Sequence, residues 1–162
     1  MALGKVSKKM GTITKDFSYR EFEKSDIAER KGICNVITSI DVRDSILALT
    51  ENVLQPLRDA WGKPLAINSG YRCQAVNAAA GGVKTSQHLK GEAADICPFG
   101  RNGTGDIKVV TELARLAKSL NLPYDQMILY PTFVHFSHKL EGTQRGQILY
   151  NYRYLDAKGK KL

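Results

Sequence analysis

A chain of 162 residues with a 43% hydrophobic and 25% charged share suits one globular domain around a single core. No apolar run approaches the roughly 20 residues that a bilayer span needs, so a membrane-spanning class is excluded. Lys and Arg outnumber Asp and Glu by 24 to 16, and a net charge of +8 would favour anionic partners such as nucleic acid, acidic wall polymers or phospholipid heads. Much of the excess is terminal, in Lys5, Lys8, Lys9 and Lys15 and again in Lys158, Lys160 and Lys161, where lysines serve solubility. No basic stripe interleaved with aromatics marks a nucleic-acid groove, so no nucleic-acid partner is expected.

The opening Met1–Met10 is basic but lacks the apolar centre of a signal peptide, which predicts a cytoplasmic protein or one released by a non-classical route. Cys34, Cys73 and Cys97 form an odd set without a Cys-x-x-Cys pair, so no disulfide framework is expected. The first ~15 and last ~6 residues of a single domain over 1–162 read as flexible.

The first element is a short helix after Ser18, an N-cap with Glu21 three residues on. An irregular connection follows through Gly32 and Ile33. Asp41 to Trp61 is the longest helical signal, with Ile46, Leu49, Val53, Leu54, Leu57 and Trp61 at helical spacing and Gly62 as its stop. Pro56 should kink or interrupt it, since proline removes a donor and clashes one turn back. Leu65–Ser69 reads as a strand, Gln74–Ala80 as a helix halted at Gly81-Gly82, and Ile96-Cys97-Pro98 as a short buried strand with Asp95 at its end. The glycine-rich loop between Pro98 and Asp106 lacks P-loop spacing and reads as a rim of the cleft. Asp106 caps a helix to Asn121, with Val109, Leu113, Leu116, Ala117 and Leu120 as its apolar face. Three strand-like runs then follow, Gln126–Tyr130, Phe133–Leu140 and Gln147–Tyr154, and read as an antiparallel meander. Helices segregated from such a sheet give an α+β class, with helices packed on a small, mainly antiparallel sheet.

The chemistry concentrates between Ser69 and Asp95. Gly70-Tyr71-Arg72 forms a turn there, and Ser86-x-His88-x-x-Gly91-x-Ala93-x-Asp95 follows. Neither helical nor strand periodicity would bring His88 to Asp95, but a tight turn at Gly91 would, because glycine lets the backbone double back. A carboxylate beside a histidine is half of a metal site, and a third ligand must come from elsewhere. His135 and His138 are the other histidines, both in a β-rich run. Residues three apart in a strand face opposite ways, so only one of the two can join the site. Cys97 shares Asp95's strand face, yet reads better as a small core cysteine.

These motifs, with Phe133-Val-His135-Phe-Ser, resemble the M15 family of zinc peptidases, of the D-alanyl-D-alanine carboxypeptidase type, from about Leu54 to Lys139. Its members include D-alanyl-D-alanine carboxypeptidases and L-alanyl-D-glutamate endopeptidases that cut cell-wall peptides. The resemblance implies a Hedgehog/DD-peptidase-like fold, zinc held by His88, Asp95 and His135, and Arg72 polarising the scissile carbonyl. It implies a peptidoglycan stem peptide as substrate and a phage-lysis route to the wall as one way out of the cell; the sequence does not name an oligomeric state, and a monomer is the expectation. Such a centre needs a base to move the water's proton. Many relatives place an acid where this chain has Thr132, and others where it has Tyr130. Asp125 matches an acidic position of the family and is the expected base, with Glu92 next in line. The departures at Thr132 and Tyr130 keep a second reading open, a relative that binds wall peptides without cutting them.

Overall fold

The computed structural model describes residues 11–162, so the basic segment Met1–Met10 lies outside the described residues. Ile13 is buried, and Thr12 bridges to Ser18 ahead of the first helix. Helix α1 (Tyr19–Glu23) starts as its sequence predicts: the Glu21 carboxylate accepts from the Ser18 amide at 2.8 Å and from its hydroxyl at 2.9 Å. A second helix, α2 (Asp26–Lys31), precedes the irregular connection expected through Gly32 and Ile33. Ser25 caps it, and Gly32 closes it in a left-handed conformation at φ 62°.

Helix α3 (Ile40–Leu49), a π-turn (Thr50–Leu54) and α4 (Gln55–Trp61) form one continuous helical run, which Gly62 ends at φ 71°. Pro56 neither breaks nor ends it. The Gln55 amide bonds to the Thr50 carbonyl, five residues back, so the ladder is already widened just before the residue that cannot donate. Ile46, Leu49, Val53, Leu54 and Leu57 are fully buried along this run.

The remaining elements are β1 (Ala66–Ser69), α5 (Gln74–Ala79), a 3₁₀ turn (Gln87–Lys90), β2 (Ala93–Cys97), α6 (Ile107–Ser119), β3 (Gln126–Leu129), β4 (Val134–Ser137), β5 (Gln147–Tyr150) and α7 (Tyr152–Asp156). The architecture is α+β with a five-stranded sheet in the order β1-β2-β4-β3-β5. Pairings β1–β2, β2–β4 and β3–β4 are antiparallel, whereas β5 runs parallel to β3. The expected meander is therefore corrected at its last strand. Both edges of β4 are already taken by β2 and β3, and β5 adds at the outer edge of β3. The third strand-like run is also shorter than expected, because Asn151 caps α7 and diverts the chain into a helix.

Alternation along the strands divides the sheet into two faces. Ile67, Ala94, Ile96, Met127, Leu129, Val134 and Phe136 point into the core, together with α3, α4 and α6. The face of α6 that packs there is Val110, Leu113, Ala114 and Ala117, rotated from the expected one, with Leu120 exposed. After Asp156 the chain turns back: Tyr154 donates its hydroxyl to the Lys160 carbonyl at 2.6 Å, and the Leu162 amide donates to the Tyr150 hydroxyl at 2.8 Å.

Candidate metal centre

The second face of the sheet carries polar groups. Asp95 lies in the middle of the fully buried β2, not at its end, and stands directly opposite His135 of β4. On its other side a register shift between Ile67 and Ser69 sets Ser69 across from it. The 3₁₀ turn brings in His88. Gly91 closes that turn at φ 72°, and a Cβ there would come within 2.7 Å of the Val42 carbonyl oxygen, so both the backbone conformation and the space select glycine.

His88 Nε2 sits 3.4 Å and His135 Nδ1 2.9 Å from Asp95 Oδ1. One nitrogen from each ring and one carboxylate oxygen lie within 4.8 Å of one another, a group that could hold a metal ion. His88 Nδ1 donates to the Gly70 carbonyl at 2.7 Å, which leaves Nε2 with its lone pair on the Asp95 side. Burial holds the His88 pKa below the ordinary histidine value, so the ring is neutral near neutral pH. Burial alone would raise the Asp95 pKa, but the adjacent imidazoles outweigh it and keep the carboxyl ionised. Two imidazoles and a carboxylate, one ring already fixed by a backbone carbonyl, are a donor set that could hold a metal ion.

Arg72 enters from the turn after β1. Its Nε donates to Ser69 Oγ at 3.0 Å, and its Nη2 lies 3.6 Å from Asp95 Oδ2. The turn itself is pinned to the site, since the Arg72 amide donates to the His88 carbonyl at 3.1 Å. His138 is not brought in: its Nδ1 donates to the Pro123 carbonyl at 2.7 Å. Cys97 is likewise apart, its thiol directed at the carbonyls of Thr132 and Gly103.

Asp125 does not face the cluster as a free carboxylate. It is fully buried, and both its oxygens accept from Arg145, with Nη2 at 2.6 Å and Nε at 3.0 Å. Gln87 Nε2 donates to it at 3.1 Å, and Lys139 Nζ lies at 3.3 Å. Burial alone would raise its pKa, but the Arg145 guanidinium and amide, with Lys139, hold it well below the usual carboxylate range. Glu92 accepts the Leu140 amide at 3.2 Å, at the far end of β4.

A cleft of about 520 Å³ opens over the cluster, and Arg72, Ser86, Gln87, Gln126, Tyr130 and Arg145 line it. Among the described lining residues Asp95 is the one acid. Gln87 and Arg145 escaped the sequence reading. Gln87 is flagged by nothing except its place beside His88, and Arg145 sits in a turn whose path depends on where β5 joins the sheet.

A family model described as Peptidase M15 matches residues 15–137, a span that holds His88, Asp95, His135, Arg72 and Asp125 and stops short of Arg145. Comparison with curated proteins finds no match.

Proposed function

The chain belongs to the peptidase M15 family, and on that premise we propose that it is a zinc-dependent peptidase that hydrolyses stem peptides of bacterial cell-wall peptidoglycan. The observation that carries this reading is the His88–Asp95–His135 group at the floor of an open cleft, beside the guanidinium of Arg72. His88, Asp95 and His135 would hold the ion. Bound there, zinc supplies Lewis-acid polarisation of the scissile carbonyl and lowers the pKa of a water.

The chain's own groups do the rest. Arg72, tethered by Ser69 and Asp95, presents donors where negative charge develops on the carbonyl oxygen. The Gly70 carbonyl and the buried strand pair fix the orientation of the two rings before substrate arrives. Asp125, the base expected from the sequence, is better assigned as a positioning residue, because its lone pairs are already committed to Arg145, Gln87 and Lys139. Tyr130 lines the cleft, and burial with the nearby Asp95 charge raises its phenol pKa, so it can donate a proton but is a poor acceptor near neutrality.

A second reading is favoured by one observation: no carboxylate other than Asp95 lines the cleft among the described residues. On that reading the protein binds wall peptides and cuts them slowly or not at all. Digestion of purified muropeptides by the zinc-loaded protein, with and without a chelator, separates the two. Metal-dependent release of an amino acid or a shortened peptide supports the peptidase. Retained binding without products selects the second reading.

A further inference from the structure

Arg145 lies in the connection between β4 and β5, beyond the matched family span. Its position is set from below. Besides the side-chain bonds to Asp125, its backbone amide donates to Asp125 Oδ1 at 3.0 Å. The Asp125 backbone is fixed in turn by the strands: its amide donates to the Ser137 carbonyl at 2.7 Å, and its carbonyl accepts from the Gln147 amide at 3.0 Å. Gln87, the residue before His88, bonds to the same carboxylate, so the guanidinium is tied to the wall that carries a cluster residue.

The pairing leaves Arg145 with donors to offer. Nε and Nη2 engage Asp125, while Nη1 makes no hydrogen bond to a described residue, and half of the side chain is exposed where it lines the cleft. Lys139 shares the same carboxylate, so the group as a whole keeps a positive charge. Arg72 adds another on the same cleft, and Asp95 is the one acid there among the described residues. A fixed planar guanidinium with an unused edge is suited to a carboxylate.

We infer that Arg145 is a specificity-determining residue, binding a free carboxylate carried by the substrate residue that supplies the leaving amine. This rests on the peptidase reading above. Two peptide bonds share that chemistry: D-Ala-D-Ala, through its terminal carboxylate, and L-Ala-D-Glu, through the α-carboxylate of a γ-linked glutamate. Asp125 acts through Arg145, holding the fork in place.

The test uses the zinc-loaded chain and two acid/amide pairs. One is diacetyl-L-Lys-D-Ala-D-Ala and its C-terminal amide. The other is L-Ala-γ-D-Glu-L-Lys and its counterpart with the glutamate α-carboxamide. Binding is read by NMR titration and cleavage by mass spectrometry in the same samples. In one pair the acid should bind about tenfold or more tightly than the amide, and Arg145→Gln should bring the two within about twofold without loss of zinc. Should Arg145→Gln fail to fold, Arg145→Lys retains a cation for Asp125 but lacks the fork, and most of the preference should still vanish. Equal binding of acid and amide in both pairs, or a preference that survives in the variant, overturns the inference. Acid-selective binding without cleavage keeps the contact between Arg145 and the carboxylate but sinks the peptidase reading, and with it the choice of leaving group. Cleavage indifferent to the carboxylate does the reverse.

Discussion

Arg72, which lines the cleft, and Asp125, buried behind it, differ in how far their charges are already committed. Arg72 Nε is engaged by Ser69 and Nη2 stands 3.6 Å from Asp95, while Nη1 makes no hydrogen bond to a described residue and can meet a developing oxyanion. Arg72→Lys keeps the charge but loses the planar donors, so steady-state kinetics on muropeptides should show turnover lower by roughly a hundredfold or more with zinc content unchanged. Parental kinetics in Arg72→Ala would return the residue to an ion-pair role. Asp125 is the opposite case, a buried carboxylate whose folded pKa is depressed by Arg145 and Lys139 against the penalty of burial. A depressed carboxyl stabilises the fold fully above its unfolded pKa of roughly 4, and that stability is lost as pH falls below it toward the folded value. Asp125→Asn leaves Arg145 without its anion and should cost about 1–3 kcal/mol at pH 7. In melting curves from neutral pH to pH 3, the gap between parent and variant should narrow toward acid. A gap that stays constant would mean the carboxylate's charge is not what matters.

At the scale of elements, the site is made by a turn and a register. The turn is readable in sequence: Ser86-x-His88-x-x-Gly91 contains its own cap and its own left-handed residue, and the structure uses both. Gly91→Ala must adopt φ 72° and displace the Val42 carbonyl, so it should lower stability by about 2 kcal/mol or more. Because the turn sets the distance from His88 to Asp95, zinc affinity measured by competition with a chelating dye should fall as well; unchanged affinity would show that the turn does not set the site. The long helix, the strand Leu65–Ser69 and the capped α1 are also legible, since each carries its pattern locally. What is not legible depends on partners far along the chain. Whether His135 or His138 turns to Asp95 follows from the pairing of β2 with β4, and the parallel placement of β5 follows from which sheet edge is already filled. The surroundings of Asp125 are hidden for the same reason: its partner Arg145 reaches it only after β4 and the following turn are in place. The π-turn before Pro56 leaves no sequence signal beyond the proline itself.

Over the whole molecule, one sheet does two jobs. Its inner face is apolar and closes the core with α3, α4 and α6, while alternate residues of the same strands carry Asp95 and His135 on the outer face. Rigid strands thus hold two of the candidate ligands, and only His88 and Arg72 come from turns, each bonded to the other's turn through backbone groups. The matched family span covers the three candidate ligands and Arg72, and no described helix is long and apolar enough to cross a membrane. On the proposed function, His88, Asp95 and His135, rather than His138, hold the zinc. Elemental analysis of the purified parent and single-alanine variants tests it most directly. About one zinc per chain is expected in the parent and in His138→Ala, and next to none in His88→Ala or His135→Ala. Full zinc in His135→Ala together with its loss in His138→Ala would contradict it.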